Sequence, residues 1–239
     1  MQTESVLVGF PLRGEWVAYH TPADRIPSHG TDQLGQRFAF DFIRIERDHE
    51  GWKFFRTSTR RFNLLGARLD DCYGWGEPIH APFEGSVVVA RDGWPERNPV
   101  HTVRDMAIVL RNALFWRPSK SDGVTPLVGN HLILKMSDQE VYALIAHTRT
   151  GSIRVRPGTT ISVGQHLADV GHSGNSTAPH LHFQLMDGPD PLTASGVPCA
   201  FKRYEVLQNG VWNDVHGMIP AKREFIRLTR EEPGGSLPG

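Results

Sequence analysis

From Ala178 to Leu185 the chain comes to alternate polar with apolar residues: His180, His182 and Gln184 fall on one face of an extended backbone, and Leu181, Phe183 and Leu185 on the other. The pattern predicts a strand that buries one face and aims two imidazoles at a common point. Two adjacent rings gain from that arrangement when they share a partner, and a metal ion is the most frequent special partner of neutral imidazole. A pair of solvated surface histidines is the bland alternative. Upstream, Phe38, Phe40 and Phe42 alternate with Ala39, Asp41 and Ile43, which predicts a strand buried on both faces. A carboxylate in that setting needs a cation or hydrogen-bond donors to offset its lost hydration. Asp41 is therefore a second metal candidate, with an ion pair to Arg44 or Arg37 as the alternative.

The remaining pattern is rich in strands and punctuated by turns. Ser86-Val87-Val88-Val89-Ala90-Arg91 reads as a strand, and residues 129–136 and 140–147 read as a hairpin turning at Ser137-Asp138-Gln139. Val141, Ala143, Ile145 and His147 share one face of the second arm, so His147 is expected on an apolar side, where a satisfied core histidine is the ordinary outcome. Residues 5–43 are expected to be mostly loop before Phe38, broken by Gly9, Pro11, Pro22, Pro27, Gly30 and Gly35. Residues 46–72 read as an insertion or hairpin whose arginines, Arg56, Arg60, Arg61 and Arg68, are solvated. A polar loop follows at 92–104, a strand at 106–110, a further loop insertion at 112–127, and short strands within 151–164 joined at Pro157-Gly158. No helix of length is expected. Residues 231–239 read as a disordered tail.

Length and composition narrow the function. The 239 residues suffice for one β-rich domain. Lys and Arg number 26, as do Asp and Glu, so no net field would hold the chain on nucleic acid or an anionic membrane. Cys72 and Cys199 form no Cys-x-x-Cys pair and indicate neither a thiolate metal site nor a disulfide framework. No basic start followed by an apolar run and no bilayer-length apolar stretch is seen, so neither an export signal nor a transmembrane segment is expected. Trp52, Trp75, Trp94 and Trp116 could serve a sugar-binding β module, although aromatic residues in such proteins are ordinarily core.

Several stretches, in order over residues 73–185, resemble the lysostaphin-type zinc metallopeptidases, which cleave peptide bonds in bacterial peptidoglycan. They are Gly76-Glu77-Pro78-Ile79-His80-Ala81-Pro82 with Gly85-Ser86-Val87-Val88, the strand ending at His147, and the block from Val163-Gly164-Gln165 through Gly171, Ser173-Gly174-Asn175-Ser176 and Pro179-His180-Leu181-His182-Phe183. The resemblance implies a mainly β fold: an antiparallel, sandwich-like single domain with a narrow active-site groove (the duplicated hybrid motif), taken here to span residues 1–230. It implies a Zn2+ cofactor, a peptide or peptidoglycan substrate hydrolysed through a metal-activated water, an extracytoplasmic site of action and a monomer. By the same resemblance Asp41 and His182 would be metal ligands, and His147 and His180 would act on the water and the developing oxyanion. One departure stands out. The family's usual histidine four residues ahead of this aspartate is replaced by Arg37, which stays protonated and cannot ligate. His29, in Ser28-His29-Gly30-Thr31, is the expected replacement, with Asp32 as the fallback. The competing class is a catalytically inactive relative that keeps the fold as a binding or scaffold module.

Overall fold

In the computed structural model, residues 5–48, 51–118 and 123–229 are described. The strands run β1 (Val6–Val8), β2 (Gly14–His20), β3 (Phe40–Ile43), β4 (Glu46–Asp48), β5 (Gly51–Lys53), β6 (Pro78–His80), β7 (Gly85–Arg91) and β8 (Asn130–Met136). They continue as β9 (Tyr142–Thr148), β10 (Thr160–Ile161), β11 (His166–Asp169), β12 (His180–Met186), β13 (Gly196–Val197), β14 (Cys199–Gln208), β15 (Val211–Met218) and β16 (Phe225–Leu228). Among the described residues three α-helices join them, α1 (Thr59–Leu65), α2 (Thr102–Phe115) and α3 (Thr125–Val128), with short 3-10 turns at Gln33–Phe38 and Leu69–Asp71. The main sheet runs β1-β14-β16-β2-β3-β12-β9-β8-β7-β10, with β13 beside β12 and β15 beside β14. Apart from the parallel β1–β14 pair its ladders are antiparallel, and β6 with β11 forms a small second sheet. The expected mainly antiparallel β fold is what the chain adopts.

Alternation decides which side of the sheet is filled. Phe40 and Phe42 of β3, Leu181, Phe183 and Leu185 of β12, and Ala143 and Ile145 of β9 turn to one face and join Phe10, Trp16, Ile79, Phe201 and Tyr204 in the main core. Phe10 meets both Phe42 and Phe201 edge-on, at centroid distances of 5.1 and 5.2 Å. The opposite face carries Asp41, His182 and Gln184, with Leu144, Ala146 and Met186 packed beside them under Val124 and Val128. A third cluster, around Phe55, Phe62, Leu69, Cys72 and Val100, gives the 54–100 segment its own small core. The expected hairpin at 129–147 is present as β8 and β9.

Several expectations fail. Before Phe38 the chain is loop and turn at 9–13 and 21–32, as expected, but not at β2: it is a seven-residue strand between β16 and β3, and its run Trp16-Val17-Ala18 is buried on both sides, so it shows no alternation. Residues 106–110 form no strand but lie within the 14-residue α2, which also overturns the absence of a long helix and part of the loop at 112–127. A five-residue apolar run does not distinguish helix from strand, and here Asp105, in the first turn, accepts from the His101 backbone N–H at 2.9 Å and fixes the helical start. In 151–164 only Thr160–Ile161 is a strand. The arginines of 56–68 are local: Arg68 pairs with Asp70, and Arg56 lies over Tyr73. Cys72 and Cys199 are free and buried, and burial pushes the Cys72 thiol up to about 12. No described helix is long and apolar enough to cross a membrane. The tail at 231–239 lies outside the described residues.

Candidate metal centre

The site forms where β2, β3, β12 and β9 lie side by side. His182 stands opposite Asp41 on β3 and opposite Ala146 on β9, so all three share the face away from the main core. Straight alternation would send the other two histidines of these strands elsewhere. On β2, Ala18 faces the core with Phe42, and His20, two residues on, would follow it. On β9, His147 would follow Ala143 and Ile145. In both strands one extra residue is inserted: the β2–β3 register shifts between Ala18 and His20, and the β9–β8 register shifts between Asn130 and Leu132, opposite His147. Each β-bulge rolls its histidine over to the site face. At His147 the turn is made with φ of 61°, a left-handed conformation uncommon for a side-chain-bearing residue. The expectation of His147 on an apolar face is thereby corrected: its ring stands 4.7 Å from that of His180 and 5.9 Å from that of His182.

Asp41, 8% exposed, is the hub. His29 Nε2 and His20 Nδ1 lie 2.9 and 2.7 Å from its Oδ2, and His182 Nδ1 and His180 Nε2 lie 2.9 and 3.6 Å from its Oδ1. Neither arginine considered as a partner is there. Arg44 pairs with Glu77, and Arg37 turns outward to Asp32 at 2.6 Å, which also removes Asp32 from contention as a ligand. The segment before β3 folds back so that His29 lies beside Asp41, held by Ser28 N–H donating to Arg37 O at 3.0 Å and by a glycine at 35. A Cβ on Gly35, whose φ is +66°, would come within 2.9 Å of the Met186 side chain. The structure thus brings together His29, Asp41, His147, His180 and His182. It adds His20, which the sequence reading missed because β2 itself was not recognised. His20, His29 and Asp41 offer ligand atoms within 4.8 Å of one another.

The acceptors behind the rings decide what the rings present. His182 Nε2 donates to Gln184 Oε1 at 2.9 Å, and the Gln184 amide donates to Leu34 O at 2.7 Å. Ser28 Oγ donates to Gln36 O at 3.3 Å and accepts from His29 Nδ1 at 3.1 Å. His180 Nδ1 donates to Ala178 O at 2.7 Å, and His147 Nδ1 to Ser173 O at 2.9 Å. With neutral rings, the inward nitrogens of His29, His180 and His182 are therefore lone pairs aimed at a carboxylate. Such an arrangement repels itself unless a cation lies within it. Burial lowers the pKa values of His29 and His147, the latter well below the usual range, so protons do not readily supply that charge there. Burial opposes ionisation of Asp41, and where His29, His180 and His182 carry protons their charge outweighs burial and holds the carboxyl well below the usual carboxylate range. For His180 burial favours the neutral ring and Asp41 overrides it, moving its pKa up. The donor set of imidazole nitrogens and one carboxylate suits a divalent transition metal such as zinc.

A buried polar chain stands behind His180. Ser176 Oγ lies 3.2 Å from His180 Nδ1 and 2.9 Å from His172 Nδ1, and His172 Nε2 lies 3.2 Å from Asp105 Oδ2. Arg97 donates to Asp105 at 2.8 Å and to Gly174 O and Ser176 O at 2.6 Å each, pinning α2 to the loop that enters β12. Asp105 is fully buried, so Asp105→Ala would leave Arg97 and His172 uncompensated and should cost about 3–5 kcal/mol in urea unfolding. The linkage has a sign. Burial raises the Asp105 pKa, hydrogen bonds from His172, His101 and Arg97 outweigh it, and the net value is low. Its stabilisation is therefore present above the ordinary aspartate pKa of about 4 and disappears as pH falls toward the folded value. Wild-type protein should lose stability below about pH 4 more steeply than the variant does.

Comparison with known proteins gives the class. The profile of peptidase family M23 matches residues 71–194, just over half of the chain, and the chain belongs to that family. The match holds His147, His180 and His182, while His20, His29 and Asp41 precede it. Among solved structures, the catalytic domain of the prophage-encoded M23 protein EnpA from Enterococcus faecalis is 18% identical, covering 82% of this chain and 94% of that one, at a TM-score of 0.40. The catalytic domain of the antimicrobial peptidase lysostaphin from Staphylococcus simulans is 19% identical over 77% and 88% of the two chains, at 0.37. A zinc-containing peptidase from Vibrio cholerae is 18% identical over 81% and 40%, at 0.38.

Proposed function

We propose that the chain is a zinc-dependent peptidase that hydrolyses peptide bonds, with peptidoglycan peptides as the substrate its family resemblance implies and hence an extracytoplasmic place of work. The observation that carries the metal reading is the set of imidazole nitrogens turned toward Asp41, each on a ring whose other nitrogen faces an acceptor. In this reading His29, Asp41 and His182 hold the ion. A Zn2+ there supplies a Lewis acid for the scissile carbonyl and acidifies a water. His180 Nε2, its other nitrogen committed to Ala178 O, is placed to accept a proton from that water. His147 presents Nε2 from across the groove as a second acceptor that orients the nucleophile, since its Nδ1 proton is taken by Ser173 O. To stabilise an oxyanion it would first have to acquire a proton at Nε2. His20 donates from Nδ1 to Asp41 Oδ2, the oxygen that His29 also faces, and fixes the carboxylate's rotation. The catalytic unit extends in this proposal from the N-terminal strands through β16, because β3 and β2 are needed to supply Asp41 and His20.

Elemental analysis of purified protein tests the assignment. Wild type should carry about one zinc per chain, His29→Ala should carry none, and His20→Ala should retain a site weakened by about 10- to 100-fold. The reverse order would transfer the ligand role from His29 to His20. A wild type that takes up no zinc would leave a binding module in place of a hydrolase.

A further inference from the structure

Beside the proposed centre the groove opens into a second cavity of about 320 Å³ whose inner end is His20, Asp41 and His180. Its walls are of another kind: Tyr19, Ile43, Trp52, Phe54, Met106 and Ala178. Four separate parts of the chain supply them, namely β2, β3 with the hairpin and segment that follow it, α2, and the turn into β12. Tyr19, Trp52 and Met106 are each about half exposed, at 50, 50 and 53%. Trp52 is held on its outer side by Phe225, edge-on at 5.5 Å, and by Arg223 at 5.8 Å, so the wall stands without a ligand against it. Met106 and Tyr19 also border the larger cavity of about 530 Å³ that contains His29, His147 and His182. The two spaces are therefore one groove running across the reaction centre, and a chain lying in it places a side chain in the apolar end.

We infer that this apolar cavity is a specificity pocket for a large hydrophobic side chain, leucine- or phenylalanine-like, of the peptide substrate at a position flanking the bond to be cut. The inference rests on the peptidase reading alone and not on its peptidoglycan substrate, and it directs the site to peptides bearing such a residue. The shape and lining carry it. At about 320 Å³ the space is at the small end of ligand pockets and holds one large side chain with room to spare. Of its side chains away from the reaction centre only Thr102, Thr177, the Tyr19 hydroxyl and the Trp52 indole N–H can hydrogen-bond, the last two on half-exposed rings, so a polar occupant would replace little of the water it loses. An aromatic or branched aliphatic group loses only unfavourable contact with water there, and glycine would gain nothing from it. The pocket's continuity with His20, Asp41 and His180 identifies the occupant as part of the substrate and not as a separate partner.

Two measurements on the full chain separate this inference from the reading beneath it. Fluorescent peptides identical except for Gly, Ala, Leu or Phe at each of two adjacent positions are titrated against zinc-loaded His180→Ala protein by anisotropy, and their cleavage by wild type is followed in parallel. The Leu and Phe peptides should bind about 10- to 100-fold more tightly than the Gly peptide at one position. That ratio should fall to within a few-fold in the double variants that add Trp52→Ala, which opens the wall, or Met106→Trp, which fills the space. Equal binding of all four residues at both positions, or a preference that survives both wall changes, overturns the pocket. Preferential binding without cleavage of any peptide by zinc-loaded wild type would support the pocket and overturn the peptidase reading.

Discussion

Replacing Asp41 by asparagine should abolish both metal uptake and turnover while leaving the protein folded. The carboxylate is the one anion among the groups that face each other here, and the rings of His20, His29, His180 and His182 all lie within 3.6 Å of it. Removing its charge takes away the attraction that draws a divalent ion into a buried site, and a neutral amide is a poor ligand for zinc. The expected zinc content therefore falls from about one per chain to none, and hydrolysis falls with it. The same change should not harm the metal-free fold. The asparagine NH2 can donate to one of the lone pairs that His29 and His182 aim at this position, so the repulsion present in the metal-free wild type is relieved. Metal-free Asp41→Asn should melt at or above the temperature of metal-free wild type, and added zinc should raise the melting temperature of wild type only. A variant that binds zinc as wild type does would remove Asp41 from the ligand set.

The second large effect separates binding from chemistry. His180→Ala should keep its zinc and lose about 10²- to 10⁴-fold in turnover, the range typical of a displaced general base. His180 lies farther from Asp41 than His29 or His182 does, and its outer nitrogen is tied to the backbone of Ala178, so its loss leaves the inner donors in place. Elemental analysis beside rates on purified peptidoglycan and peptide libraries reads the two quantities independently. Loss of zinc from this variant would make His180 a ligand and reassign the proton transfer to His147.

Much of this was legible in the chain, and what was not has a definite physical cause. The His180-Leu181-His182 strand and the Asp41 strand announce themselves because each has a fully buried apolar face, and the structure pairs them directly through His182 and Asp41. His29 came into view only through the family resemblance, which expects a histidine where Arg37 stands and so directs attention upstream, and the structure places it beside Asp41. His20 and the true side of His147 were not legible. Both depend on a residue inserted into one strand of a ladder, and the two-residue period of a strand gives the opposite face until the partner strand is known. The helical state of 102–115 was hidden for another reason. Its apolar residues face the groove and solvent, with Val103, Met106, Leu110 and Leu114 all exposed, and its start is fixed by contacts of Asp105 with His101 and with distant His172 and Arg97.

The strands that bear Asp41, His147, His180 and His182 are interior members of the sheet, each hydrogen-bonded on both sides, whereas Trp52 and Met106 sit on a hairpin and a helix that lie off it. In mechanical terms the fold has a stiff floor and soft walls. Interior strands are generally the last parts of a fold to open and peripheral elements the first, which suits a floor that must hold a geometry and walls proposed to receive a side chain. Changes in what the groove accepts can then accumulate in the walls without disturbing the reaction centre, so that selectivity and chemistry are inherited through separate parts of one chain.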